Sequence, residues 1–198
     1  MFERIYHMDK LRERAEIFNK LLNFKYNIIL GRKGVLTNLC LTFDKTHFHH
    51  LIGLQYLKDM PQLNADRAKV FDQVLNCEIT YEHISRSDLF HKIEKRFLVF
   101  RYIEELLDSN GLVFKFNNKN HWSHMAAEYI LENTIDASNI SYICIDKTDS
   151  QDEYFCRSFF PKEHVDYTEG HTRYTLLHKE KTNILTQENE IQYNKLNC

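Results

Sequence analysis

The chain has 198 residues, of which 43% are hydrophobic, and its 26 basic side chains nearly balance 28 acidic ones. This length suits one domain of about 100–200 residues. The net charge of -2 excludes a whole-protein attraction to nucleic acid, so any site for a polyanion must be a local patch. Five scattered cysteines without a Cys-x-x-Cys pair argue against a disulfide framework or a zinc knuckle. With no signal-peptide pattern and no apolar stretch of about 18–20 residues, we expect a reduced, cytoplasmic protein without membrane contact.

The first half of the chain indicates a helix, a hairpin and further helices. In "MDKLRERAEIFNKLLN" the apolar residues recur three or four apart, which predicts an amphipathic helix within residues 1–24. Two β-branched or apolar runs then flank Gly31-Arg32-Lys33-Gly34, which is typical of a β-hairpin. The stretch "FDKTHFHHLIGLQYLKDM" predicts a helix that Pro61 ends. More helical periodicity follows at about 62–110 and stops at Asn110-Gly111.

After Gly111 the sequence changes to short aromatic and β-branched runs, such as "GLVFKFN", "ISYICIDKT", "EYFCRSFFP" and "RYTLLHKEK". Polar segments separate these runs, which predicts a meander of antiparallel strands. We therefore expect an α+β fold with an N-terminal helix and β-hairpin, a helical middle, and an antiparallel sheet of four to five strands.

Three histidines, His47, His49 and His50, lie within four positions at the start of a predicted helix. His47 and His50 share a helical face. A metal site would recruit His121 and His124 of "HWSH", but it lacks a carboxylate partner and a known ligand spacing. The alternatives that stay open are an acid–base group, since histidine titrates near neutrality, and a helix-capping residue.

Basic residues on predicted strands and helices are candidates for contacts with phosphate. Arg157 lies between two phenylalanines on one strand face, and guanidinium suits phosphate oxygens. Arg173 and Thr175 share a face of the last long strand with Lys179. A helical stripe that includes Lys92 and Arg96 could form a groove for RNA backbone. Each of these patterns also fits ordinary solvated surface.

Three segments in this order resemble a known family. "KYNIILGRKGVLTNLCLTFDKTHFHHLIGLQYLKD" contains the pattern Phe-x-His-Leu-x-Gly-Leu, and "YFCRSFFP" and "YTLLHKEKTNILT" follow as closing strands. They resemble the phage-associated barnase–EndoU–colicin–RelE-like nucleases, specifically the fourth subgroup. The resemblance implies a single domain over 1–198, with a nuclease core at 25–193 that carries the helical insertion.

The resemblance further implies metal-independent cleavage of RNA without a cofactor. In such a reaction a base activates a ribose 2′-hydroxyl, cations stabilise the attacked phosphate, and a 2′,3′-cyclic phosphate remains. His50 matches the motif histidine, Arg157 would clamp phosphate, and Ser158 would donate its hydroxyl. Thr175 would complete the catalytic set, with phosphate contacts from Lys179, Lys92, Arg96 and Arg173. Strand alternation puts Arg157 and Ser158 on opposite faces, so both serve one site only near a strand end or a bulge.

The expected role is a toxin-like effector of a phage or mobile element that acts on RNA, for example transfer RNA. An antitoxin or a host protein is a further candidate partner. The alternative is a catalytically inactive RNA- or protein-binding module on the same fold, such as an inhibitor or anti-defence protein. A histidine-rich metal enzyme is the third and least favoured hypothesis.

Overall fold

The structure is a computed structural model that describes residues 8–117, 127–135, 140–150 and 152–196. Within these ranges it contains six α-helices and eight β-strands. They are, in chain order, α1 Lys10–Leu21, β1 Phe24–Arg32, β2 Val35–Thr42, α2 His47–Ile52, α3 Arg67–Leu75, α4 Tyr81–Ser85, α5 Glu94–Phe100, α6 Ile103–Asp108, β3 Leu112–Lys115, β4 Tyr129–Thr134, β5 Ile140–Lys147, β6 Glu153–Pro161, β7 Thr172–Asn183 and β8 Asn189–Asn194.

The sequence of helix α1 has both a helical spacing of apolar residues and a residue that caps its N-terminus. The Asp9 carboxylate accepts hydrogen bonds from the backbone N–H groups of Leu11 and Arg12, which satisfies donors that the first helical turn leaves unpaired. The apolar stripe that includes Leu11, Phe18 and Leu21 is fully buried. This helix lies inside the predicted N-terminal stretch.

Seven strands close into a mixed barrel. The order is β1-β2-β6-β5-β4-β3-β7, and β7 pairs back with β1 to complete the ring. β8 adds an eighth strand beside β7. Every pairing is antiparallel except β2 with β6, which runs parallel over three residue pairs, Cys40↔Glu153 to Thr42↔Phe155.

The expectation of an antiparallel sheet of four to five strands is therefore wrong. The predicted hairpin does form, but β1 also pairs with β7 from Phe24↔Asn183 to Gly31↔Thr175 and so joins the sheet of the second half. The alternation of apolar and polar residues, together with the turn residues, predicts individual strands. A pairing between strands that are distant in the chain has no local signal in the sequence. β8, which the sequence did not predict, extends the same sheet.

The helices and one face of the barrel strands share an apolar core. It joins Tyr26 of β1, Leu41 of β2 and Ile143 of β5 to Phe48 of α2 and Phe97 of α5. Both α2 and α5 pack on β6, which brings helical side chains beside that strand. None of the helices in the described part of the chain is both long and apolar enough to cross a bilayer.

Candidate active site

A bulge in β6 brings Arg157 and Ser158 to one cavity. Cys144 of β5 pairs with Ser158, whereas the next residue, Ile145, pairs with Cys156, so Arg157 is an extra residue in the ladder. A bulge of this kind interrupts strand alternation and redirects a side chain. Arg157 and Ser158 consequently line the same cavity, as their joint action at one site requires.

Helix α2 presents two of the three histidines to this cavity. The Asp44 carboxylate accepts from the Thr46 backbone N–H at 2.9 Å and from its hydroxyl at 2.6 Å, which fixes the turn before the helix. The helix ends at Gly53, whose φ of 96° is left-handed and favours glycine. His47 and His50 line the cavity. His49 is 5% exposed, and its Nε2–H donates to the Leu63 carbonyl at 2.8 Å, away from the cavity.

We call this space, of about 480 Å³, the histidine cavity. The side chains with chemistry to offer along its wall are His47, His50, Tyr56, Arg67, Arg157 and Ser158. They combine imidazoles, guanidinium groups and hydroxyls, which is the donor set for binding a phosphodiester and moving a proton.

The two histidines of the cavity differ in their environments and in the roles that they can take. Burial, with a smaller effect from the nearby Arg67, lowers the pKa of His50 to about 4, so its imidazole is neutral near pH 7 and can accept a proton. The Nδ1 of His47 accepts from the Asp44 backbone N–H at 3.1 Å, so the neutral ring carries its proton on Nε2. Burial lowers the pKa of His47 as well, and its ring stacks on Phe155 at 5.2 Å. His50 is therefore the candidate base and His47 a hydrogen-bond donor.

Two arginines reach the cavity in different electrostatic states. Arg157 forms an ion pair with Asp146 at 2.5 Å, so part of its charge is already balanced. Arg67, the first residue of α3, is exposed and has no ion-pair partner among the residues that the structure describes. Arg67 was not among the predicted site residues, because the start of a helix in "NADRAKVF" gives no local signal that it faces a site formed by β6.

A second space, of about 530 Å³, adjoins the first, and we call it the basic cavity. Its walls include Lys92, Lys95, Arg96, Phe160 and Tyr167, and it shares Tyr56 and Ser158 with the histidine cavity. The two spaces therefore lie side by side along β6 with these two side chains as a common wall, and we call them together the cleft.

Arg96 contacts residues of both cavities. Its Nη1 donates to the His50 carbonyl at 3.2 Å, and its guanidinium lies 5.2 Å from the ring centre of Tyr56 and 5.9 Å from that of Phe160. Burial lowers the pKa of Arg96. The side chain therefore holds the C-terminal end of α2, and with it the backbone of His50, against the wall of the basic cavity.

A second bulge separates the remaining predicted residues from this cleft. In β7, Ile29 of β1 pairs with His178 but Leu30 pairs with Leu176, so Leu177 is extra and the side-chain alternation inverts there. Arg173 and Thr175, before the bulge, are exposed and line a separate cavity of about 370 Å³.

Lys179 lies after that bulge and is 3% exposed. Its ammonium group donates to the carbonyls of Leu107 and Ser109 at 2.6 and 2.5 Å, at the C-terminal end of α6. Burial lowers its pKa to about 8. The structure thus brings five predicted residues to the cleft and places three elsewhere: the first set is His50, Lys92, Arg96, Arg157 and Ser158, and the second is Arg173, Thr175 and Lys179.

Metal ligands do not cluster in the described ranges, where no group of three or more His, Cys, Asp or Glu side chains could hold an ion. The pair that a metal site would have recruited, His121 and His124, lies outside the described residues.

Comparison with known proteins identifies a nuclease family. The model of a family described as phage-Barnase-EndoU-ColicinE5/D-RelE like nuclease 4 matches residues 10–196. Neither the curated proteins nor the solved structures include a significant match.

Proposed function

Because the chain belongs to the phage-Barnase-EndoU-ColicinE5/D-RelE like nuclease 4 family, we propose that it is an endoribonuclease whose active centre is the histidine cavity. The family assignment confirms the resemblance found in the sequence and makes the chain a nuclease of this type. The observation that carries the proposal is the neutral imidazole of His50 in one cavity with Arg67, Arg157 and Ser158.

The proposed reaction begins with proton transfer to His50. The imidazole takes the proton of a ribose 2′-hydroxyl, and the oxygen attacks the adjacent phosphorus. Arg67 and Arg157 stabilise the negative charge of the pentavalent phosphorane. The Nε2–H of His47 and the hydroxyl of Ser158 donate to its non-bridging oxygens.

The bond from phosphorus to the 5′-oxygen then breaks, and the leaving oxygen takes a proton from water. The hydroxide that remains takes the proton from His50, which returns the imidazole to its neutral form. The products are a 2′,3′-cyclic phosphate and a 5′-hydroxyl. This chemistry needs no cofactor and no metal ion, because both the nucleophile and the charge stabilisation come from substrate and side chains.

Cleavage of total RNA by the purified protein in EDTA tests this proposal. We expect 2′,3′-cyclic phosphate ends, and we expect His50→Ala or Arg157→Ala to abolish cutting without lowering the melting temperature. His178→Ala, a histidine of β7 outside the cleft, is the matched control and should cut normally. Normal cutting by both site variants would refute the site, and activity lost in EDTA but restored by zinc would refute the metal-free mechanism. RNA binding without any cutting would instead identify a binding module.

Growth of a bacterial host tests the proposed role. We propose a toxin-like effector of a phage or mobile element that acts on RNA such as transfer RNA, with an antitoxin or a host protein as a further partner. Expression of the wild type should arrest growth, and expression of His50→Ala should not. Equal growth of both strains would contradict a toxic role while leaving the nuclease chemistry to the cleavage assay.

A further inference from the structure

We propose that the basic cavity binds the base and ribose of an unpaired nucleotide next to the scissile phosphate, which makes single-stranded RNA the substrate class. The inference rests on the proposed function, and it assigns a role to a cavity beyond the catalytic one. Three properties of the cavity support the proposal: the wall that it shares with the histidine cavity, its aromatic lining and its charges.

The shared wall sets the position of the ligand. Tyr56 and Ser158 belong to both cavities, so a group in one lies directly beside a group in the other. A phosphate held by Arg67 and Arg157 would have its neighbouring nucleotide at the shared wall. The volume of about 530 Å³ lies within the range of about 300–1,000 Å³ that accommodates small molecules.

Aromatic rings line the cavity and can stack on a base. Tyr56 is 42% exposed although it stands at the junction of the two cavities. Phe160 and Tyr167 contact each other edge to face, with ring centres 5.0 Å apart, and so form a fixed aromatic wall. Because Arg96 is bonded to the His50 carbonyl, it holds the ring of Tyr56 in place from one side. Stacking of this kind tolerates any base, since every base has a π-face.

The charges of the cavity suit a nucleotide rather than an apolar ligand. Lys92 is exposed and has no ion-pair partner within the described ranges, so its ammonium group is available to a flanking phosphate. Lys95 and Glu163 form an ion pair at 2.8 Å across the rim. The Glu163 carboxylate gives the cavity an acceptor for the amino group of a base.

A base can enter such a cavity only when it is not stacked in a helix. In double-stranded RNA the base edges are paired and the deep groove is too narrow for side chains. Flipping a paired base out costs a few kcal/mol, and least for a base that is already unpaired. The cavity therefore selects single strands, loops and bulges.

Binding of an uncleavable probe tests the inference. The probe is a short 2′-O-methylated RNA that contains 2-aminopurine, used as a single strand and as a duplex with its complement. Affinity is measured by fluorescence anisotropy, and stacking by quenching of 2-aminopurine. We expect tight binding and quenching with the single strand, and weak binding with the duplex.

Two substitutions at one position separate stacking from other contacts. Tyr56→Leu keeps an apolar side chain but removes the ring, and should weaken single-strand binding about 5- to 150-fold. Tyr56→Phe keeps the ring and should bind like the wild type. Tyr193→Leu removes a ring that lines the separate cavity of Arg173 and should have no effect. Lys92→Gln, an exposed position, should also weaken binding, and it provides the readout if Tyr56→Leu is unstable.

Equal affinity for single strand and duplex would overturn the inference, as would normal binding by both Tyr56→Leu and Lys92→Gln, or an equal loss in Tyr193→Leu. The probe cannot be cut, so these outcomes do not depend on catalysis. A wild type that binds as expected but leaves total RNA intact supports the nucleotide site and refutes the nuclease proposal. Cutting of total RNA together with equal binding of both probe forms would support the nuclease proposal and refute the nucleotide site.

Discussion

Replacement of Gly53 by alanine should damage both stability and the candidate active site. Gly53 ends α2 with a φ of 96°, a conformation that costs an L-residue about 1–2 kcal/mol. A Cβ built there would lie 2.9 Å from Ile93 Cγ2 and 3.2 Å from Arg96 Cδ. Ile93 is fully buried and Arg96 is held by stacking and by the His50 carbonyl, so neither moves freely. Overpacking of this kind costs about 1–3 kcal/mol.

The sum is a loss of about 2–5 kcal/mol in the free energy of unfolding, a large part of the roughly 5–15 kcal/mol that stabilises a typical domain. Gly34 provides the matched control. Its φ of 78° is also positive, but nothing lies within 4 Å of a Cβ there. Gly34→Ala should therefore lose only the backbone contribution, and the difference between the two variants measures the contact with Ile93 and Arg96.

Urea denaturation followed by circular dichroism gives both free energies of unfolding. We expect Gly53→Ala to be about 1–3 kcal/mol less stable than Gly34→Ala. Equal losses in the two variants would refute the argument that Gly53 is needed for close packing. Even where Gly53→Ala is still folded, it should cleave RNA more slowly than the wild type, because Arg96 can no longer hold the end of α2. The loss of cleavage should therefore exceed the loss of folded protein.

Three further predictions concern titrating groups. For His50, whose pKa burial lowers to about 4, kcat/KM should stay level from neutral pH down to about 5 and fall as the pH drops through about 4; an NMR titration of His50 near its ordinary 6.5 would contradict this. Arg67→Gln removes the charge that lowers the pKa of His50 most, so the pKa of His50 measured by NMR should rise and cleavage should weaken. Lys58→Gln, which removes a charge near His49, is the comparison and should change the pKa of His50 less. For Lys179, burial lowers the folded-state pKa to about 8 from 10.5, so between those values the unfolded chain binds more protons and the stability of the wild type should rise with pH. Relative to Lys179→Met, the wild type should gain up to about 3 kcal/mol across that window in urea titrations, at about 1.36 kcal/mol per pKa unit, and a constant difference between the two proteins would refute the assignment.

Local patterns predicted single elements well and their long-range arrangement poorly. The spacing in "MDKLRERAEIFNKLLN" predicts a helix where α1 forms, and the loop that starts at Gly31 marks the β1–β2 turn. Closure of the barrel depends on β1 with β7 and on β2 with β6, strands that are far apart in the chain. No periodicity within a strand encodes its partner.

The same limit applies to the candidate site. Simple alternation grouped Lys179 with Arg173 and Thr175, and the bulge at Leu177 separates them because one extra residue inverts every side chain that follows. The bulge at Arg157 has the contrary effect and brings that residue together with Ser158. Bulges arise from pairing between strands, so the sequence of one strand does not reveal them.

The short parallel pairing between β2 and β6, which we call the seam, has a consequence for synthesis on the ribosome. The histidine cavity combines α2, which directly follows β2, with Arg157 and Ser158 of β6, and the seam joins these parts through only three residue pairs. A growing chain that has not yet extended past β6 lacks the arginine and the serine of the cavity, and contacts between such distant segments form slowly. Synthesis must therefore pass β6 before Arg157 and Ser158 can join the histidines of α2, so a chain that ends before this strand would lack the proposed activity.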